Sequence, residues 1–227
     1  MKHIWIFGHS VCIPFNLKDK TAGWDHIIGK QLGLPVKNYA VESSDNFFIH
    51  STIQEHTQDF GSDDIILVGW SHPSRKTFVY DGTNQKQKNI LEDSIILNTK
   101  HATYIRSKSS KETVSLNKWF SMSPKDKGIG YYDTWFKDYY NIREQKINFQ
   151  SYLYSTSFTL KNNLYFPFYF SMESVEDIDI SKNDNIGFVA EFIKDNKVSI
   201  SDQDAHFNEQ GHRLWAKNVI QKINKYV

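Results

Sequence analysis

The chain of 227 residues has a single cysteine, Cys12. No intrachain disulfide can form, nothing requires an oxidising compartment, and structural zinc held by thiolates is not expected. An excess of charge is missing as well: 27 Lys and Arg stand against 26 Asp and Glu, a formal net charge of +1. That balance leaves no electrostatic footprint for nucleic acid or for an anionic membrane. Long apolar runs are also lacking. Only about five apolar residues follow Lys2, too few for a signal-peptide core, and no stretch approaches transmembrane length. The expectation is a soluble protein, cytoplasmic as translated. Internal repeats and low-complexity tracts are missing too. The length fits one domain spanning 1–227.

What is present begins at once. His3-Ile4-Trp5-Ile6-Phe7 reads as a short buried strand, ended by Gly8-His9-Ser10. Trp24, Ile27, Ile28 and Leu32 recur on one helix face, and Gly33 supplies the stop. Leu34 to Val41 reads as a second strand, with Pro35 near its start where a missing donor matters least. After the polar turn Glu42 to Asn46, Phe47, Ile49, Ile53 and Phe60 suit a second helix. Ile65-Ile66-Leu67-Val68 is a continuous apolar run of the kind a doubly covered parallel strand needs, and Gly69-Trp70-Ser71-His72-Pro73 ends it. This β-α-β-α-β order places a polar turn after each strand, carrying Ser10, Ser43 and Ser71. Right-handed crossovers bring all three turns to one sheet edge, where open α/β sheets hold their ligands.

From Ser74 to Gly130 the pattern weakens into a Lys/Ser/Asn-rich stretch, read as an insertion of mixed short elements. Tyr131 to Tyr154 is rich in aromatics, and Trp135, Tyr139, Ile142 and Lys146 suggest a helix. Its aromatic side is either core or the lining of a sugar-binding cleft. Leu164 to Phe170 reads as a fourth strand, with Pro167 marking a possible bulge. Ile186 to Ile193 fits strand and helix equally by periodicity. At the end, Asn208 can cap a helix with Trp215, Val219, Ile223 and Val227 as a ladder and Ala216 and Ile220 beside it.

Asp204-Ala205-His206 immediately precedes that helix. A serine hydroxyl needs a base to take its proton, and a histidine needs a group that fixes its tautomer and stabilises its cation. Ser10, His206 and Asp204 supply these roles, since a carboxylate two residues before a histidine can reach its ring within one tight loop. Taken singly, Ser10 is equally a turn or cap residue, and His206 a capping or buried structural histidine. His212 is expected to pack structurally in the first turn of the last helix. His206 and His212 lack the i, i+4 spacing of a helical metal pair and no Cys/His cluster exists, so neither metal nor cofactor is expected.

The opening strand-Gly-His-Ser, the turns after strands two and three, and Asp204-Ala205-His206-Phe207-Asn208-Glu209-Gln210-Gly211-His212 together resemble the SGNH (GDSL-type) hydrolase superfamily. The resemblance covers roughly residues 1–73 and 164–227 and is most specific in the carboxy-terminal motif. It implies a flavodoxin-like three-layer α/β/α sandwich with a mainly parallel sheet and a large insertion after the third strand, about 74–163. It also implies ester hydrolysis, often of acyl groups on carbohydrates and lipids. Ser10 then matches the nucleophile, His206 the base and Asp204 its acid partner, with Asp202 as fallback.

Departures from the family pattern fall at named positions. His9 stands where the family usually has Asp, and either hydrogen-bonds across the site or fills its loop. Ser43 stands at the glycine whose backbone N–H joins that of Ser10 in the oxyanion hole. Ser71, with His72 beside it, stands at the asparagine whose amide completes the hole, and Gln203 stands where the acid often lies. Losing one oxyanion donor costs on the order of 100- to 1,000-fold in turnover. Arg75 is either a clamp for an anionic substrate group or a solvated surface residue. The expected enzyme is a serine esterase taking a small-molecule or glycan ester, with acyl transfer to a sugar as a variant of the same chemistry. The alternative is a catalytically impaired module that binds a glycan or a protein partner.

Overall fold

The computed structural model describes residues 2–14, 17–42, 44–73, 76–79, 94–98, 103–107, 113–115, 119–122, 141–180, 185–201 and 204–226. Strand β1 (Ile4–Phe7) is followed by helix α1 (Trp24–Leu32), β2 (Val36–Asn38), α2 (Asn46–Glu55) and β3 (Ile65–Trp70). Both β2 and β3 pair in parallel with β1. All four residues of β1 and all six of β3 are buried, as continuous apolar runs require when helices cover both sheet faces.

The alternation of side chains along each strand divides the interior into two cores. Ile4, Ile6, Ile65 and Leu67 pack with Trp24 and Ile28 of α1 on one face. Trp5, Phe7, Ile66, Val68 and Trp70 pack with Ile49 and Ile53 of α2 on the other. The regular strand is Val36–Asn38, but backbone hydrogen bonds to the β1 line run from Pro35 O, accepting from Ile4 N, through Tyr39 N, donating to Ile6 O, to Val41 N, donating to Gly8 O. Nearly all of the stretch expected over Leu34 to Val41 therefore lies along β1.

The insertion contains a five-stranded antiparallel sheet rather than mixed elements. Its strands are β4 (Lys76–Val79), β5 (Ser94–Asn98), β6 (Thr103–Ser107), β7 (Thr113–Ser115) and β8 (Trp119–Met122), in the order β4-β8-β7-β6-β5. Helix α3 (Ile142–Thr159) follows, its N-terminus capped by Asn141 Oδ1 accepting from Arg143 N and Glu144 N. Its buried stripe is Gln145, Phe149, Leu153 and Thr156, while Ile142 is exposed. The ladder expected through Ile142 and Lys146 is thus off the buried face; Trp135 and Tyr139 lie outside the described residues. Because Phe149 and Leu153 pack into the second core, α3 belongs to the sandwich, and the insertion ends before it rather than at 163.

Strand β9 (Leu164–Tyr169) pairs in parallel with β3 without a break in register, so Pro167 marks no bulge. In a parallel strand the N–H and C=O of one residue point to the same side, and Pro167 O accepts from Ile186 N on the outer side at 2.8 Å. The missing proline donor therefore faces away from β3 and costs the ladder nothing. Ile186 to Ile193 resolves into both alternatives. Phe188 forms a parallel bridge to Tyr169, and α4 (Val189–Asn196) starts at the next residue.

The chain ends in the antiparallel pair β10 (Ser199–Ser201) and β11 (Asp204–Phe207), then α5 (Glu209–Ile223). Asn208 Oδ1 caps α5 by accepting from Gly211 N at 2.8 Å. Trp215, Ala216, Val219 and Ile223 bury the expected face of α5 in the first core; Val227 lies outside the described residues. The main sheet has the order β2-β1-β3-β9 and is covered by α1, α4 and α5 on one face and by α2 and α3 on the other. It is a three-layer α/β/α sandwich. Among the described residues, no helix is long and apolar enough to cross a membrane.

Candidate active site

Ser10 opens a single helical turn, Ser10–Cys12, three residues beyond β1. Cys12 is fully buried, and a Cβ on either Gly8 or Gly69 would overlap its sulfur. Glycine at the ends of β1 and β3 therefore lets the turn sit down onto the sheet edge. Within the turn, His9 O accepts from Cys12 N at 2.8 Å. The His9–Ser10 peptide is planar and trans, so fixing its carbonyl toward Cys12 directs the Ser10 N–H to the opposite side.

Asp204 and His206 lie on β11, two residues apart, and side chains two apart on a strand share a face. The strand conformation explains why an acid at this spacing reaches the ring. His206 Nδ1 is 2.5 Å from Asp204 Oδ1, which also accepts from His206 N at 3.1 Å. A carboxylate only accepts, so Nδ1 carries the hydrogen and Nε2 offers its lone pair. Ser10 Oγ lies 2.8 Å from that Nε2 and donates to it, across 196 positions of sequence.

Phe207 anchors the strand. It is buried, with its ring 5.7 Å from Trp215 and 5.4 Å from His212. The outward face of β11 is wetter: the side chains of His206 and Asp204 are 26% and 31% exposed.

The structure thus brings Ser10, His206 and Asp204 together. His9 is buried, with its ring edge-on to Phe170 at 5.7 Å. Ser71 is buried just past β3, and His72 is half-buried beside it. Ser43, Arg75, Asp202 and Gln203 lie outside the described residues. His212 is buried in α5, and burial first, then the charges of His206 and Lys20, push its pKa down to about 4. No group of three or more His, Cys, Asp or Glu side chains among the described residues could hold a metal ion.

Asn46 was not among the expected site residues. It is buried at the first position of α2, directly after Asp45, whose carboxylate caps the helix by accepting from Phe48 N at 2.8 Å. Its Oδ1 accepts from Ser71 N at 2.8 Å and its Nδ2 donates to Ser71 O at 2.9 Å. One side chain thereby ties the turn after β2 to the turn after β3. The only sequence signal was an asparagine just inside a helix at the sheet's carboxyl edge.

No protein-family model matches the chain, and no curated protein matches it by sequence. Solved structures match it over nearly its whole length. TesA covers 100% of both chains at 9% identity with a TM-score of 0.56. This is the SGNH-hydrolase fold. A lipolytic protein of the G-D-S-L family from Veillonella parvula covers 97% of each chain at 12% identity and a TM-score of 0.51. The psychrotrophic esterase EstA from Pseudoalteromonas sp., in a structure inhibited by monoethylphosphonate, covers 100% of this chain and 98% of its own at 8% identity and a TM-score of 0.52. In the SGNH fold seen here, the amino-terminal strand carries Ser10 and the hairpin before the last helix carries Asp204 and His206 to the same edge.

Proposed function

We propose that the protein is a serine hydrolase of acyl esters. The observation that carries this reading is the chain Ser10 Oγ to His206 Nε2 to Asp204, at 2.8 and 2.5 Å, with the tautomer set by the carboxylate. Ser10 Oγ bonds to the ester carbonyl carbon while its proton passes to His206 Nε2 and the carbonyl π pair moves onto oxygen. Collapse of that adduct breaks the bond to the alkoxy group, which leaves with the proton from His206. Water then attacks the acyl-serine, giving its proton to His206, and the acid departs as Ser10 regains a proton. Asp204 stabilises the imidazolium in both halves.

The oxyanion is held by the Ser10 N–H, whose direction the pinned His9 carbonyl sets, together with the Ser43 N–H and Ser71 or His72. The substrate class is a small acyl ester, an O-acetylated carbohydrate among them, bound near His9, His72 and Arg75. The esterase name of one structure with the same fold supports this class.

The binding-module reading keeps one specific observation: the third oxyanion position is Ser71, whose backbone N–H and C=O are already bonded to Asn46. The test is hydrolysis of a panel of p-nitrophenyl acyl esters and O-acetylated glycans by the protein and by Ser10→Ala. Turnover lost in Ser10→Ala supports the hydrolase. Glycan binding without turnover, unaffected by Ser10→Ala, would replace it with the binding module.

A further inference from the structure

The turn that carries Ser10 is gripped from beneath by side chains that the proposed chemistry does not use. Trp24, fully buried at the start of α1, donates its indole Nε1–H to Val11 O at 2.8 Å. Asn38, the last residue of β2, donates from Nδ2 to Cys12 O at 2.7 Å and to Asp25 Oδ2 at 2.9 Å. Its Oδ1 accepts from Ala40 N at 3.0 Å. These three partners allow the amide one orientation, because the reverse would set its oxygen against a carboxylate and a carbonyl. Asp25 is buried, so that reversal would be expensive. The two carbonyls that follow Ser10 are therefore each fixed by one donor, one from α1 and one from β2.

Trp24 also reaches the other half of the site. Its main-chain N–H donates to His212 Nδ1 at 3.3 Å, a contact spanning 188 positions. His212 sits in the first turn of α5, and its ring packs on Phe207, the neighbour of His206. The depressed pKa of His212 keeps the ring neutral near pH 7, so Nδ1 remains an acceptor. One residue thus touches the nucleophile's turn through its indole and, through its backbone, the helix that follows the strand of His206. Packing alone does not need this arrangement: the aromatic contact with Phe168, at 5.9 Å, would survive without any N–H.

We propose that Trp24 and Asn38 are positioning residues that set the distance and angle at which Ser10 meets His206, with Trp24 acting on both partners. The proposal rests on the serine-hydrolase reading. Its physical basis is alignment, since a displacement of about 1 Å at a reacting atom costs on the order of 100-fold.

The test is inactivation kinetics with an ethyl fluorophosphonate. In that reaction the Ser10 Oγ–P bond forms, the P–F bond breaks, fluoride leaves and His206 takes the serine proton. Trp24→Phe keeps an aromatic ring and removes the N–H. If that variant does not fold, replacing the indole with benzothiophene keeps the shape and still removes the N–H. The expected result is a maximal inactivation rate lowered roughly 10- to 100-fold with the half-saturating concentration changed less than about two-fold, per folded molecule. A folded variant that reacts at the wild-type maximal rate, whatever its melting temperature, would overturn the proposal and leave Trp24 a structural residue. A wild-type chain that forms no Ser10 adduct would remove the hydrolase reading and this proposal together. A wild-type adduct with unchanged variants would remove the proposal alone.

Discussion

The two ends of the main sheet are built on different terms. At the amino ends of β1 and β3, Asp64 is buried and accepts from His3 N at 2.7 Å, Trp5 Nε1 at 2.7 Å and Gly61 N at 2.9 Å. Trp5 in turn lies in an aromatic layer with Phe7, Tyr39 and Phe60. At the carboxyl ends, the side chains of His206 and Asp204 stay a quarter to a third exposed, and Ser10 hydrogen-bonds to a histidine on a separate two-stranded hairpin. The same strands therefore hold a closed polar knot at one end and the partly exposed Ser10–His206–Asp204 cluster at the other. Stability and reactivity should separate along the strand axis, as expected where loops at the carboxyl edge carry function on a rigid scaffold.

The largest effects that would test this separation lie at the carboxyl end. Ser10→Ala and His206→Ala should each lower ester turnover roughly 10,000-fold or more, and Asp204→Asn about 1,000- to 10,000-fold. Each should leave the urea midpoint nearly unchanged, because partly exposed groups contribute little to folding. A variant that lost stability in step with activity would break the comparison.

Asn46→Ala should move both quantities. It leaves the Ser71 N–H and C=O unpaired in a buried site, which costs about 2 to 3 kcal/mol. It also frees the turn after β3, lowering turnover about ten-fold or more. Denaturant titration and steady-state rates on the same sample separate the two.

Asp64→Ala should cost about 3 kcal/mol by abandoning three donors, while turnover per folded molecule stays at the wild-type value. A changed turnover would mean that the amino end reports to the site.

The most gradual effect is the pH dependence of stability. His212 has its folded pKa lowered to about 4 from 6.5, so the unfolded chain binds the proton first as pH falls. Its contribution is whole above about 6.5 and drains away between 6.5 and 4, by up to about 3 kcal/mol. Asp64 feels burial, which raises its pKa, but the hydrogen bonds from Gly61, His3 and Trp5 outweigh it and hold the pKa below the ordinary 3.8. Its contribution is lost only as pH falls further, through that lowered value. Denaturation curves should show two steps, the upper one reduced in His212→Gln but not abolished, because burial also holds His50 below its ordinary 6.5.

Much of this arrangement could be read from the sequence because the relevant signals are local. The runs in β1 and β3 are uninterrupted where helices cover both faces, and Asn208 announces a helix whose Trp215 and Val219 fall on one side. That Ser10 meets the Asp204-Ala205-His206 pair was legible for the same reason, since the residues that meet lie in two short stretches. The parts that escaped depend on distant partners. Asn46 matters through a residue 25 positions away, and Trp24 through one 188 away. Neither pairing leaves a periodic trace. The buried stripe of α3 was misplaced because aromatic residues before Ile142 drew the register, while Gln145 and Thr156 carry no apolar signal. Pro167 suggested a bulge because only the pairing tells which side of β9 its missing donor faces.

The most direct test of the central claim, that His206 activates Ser10, is intact-mass measurement and peptide mapping after treatment with a fluorophosphonate, on wild type and His206→Ala. A single adduct on Ser10 that disappears in His206→Ala is the expected result. A folded wild-type protein that forms no adduct, or a Ser10 adduct that forms equally fast without His206, would contradict it.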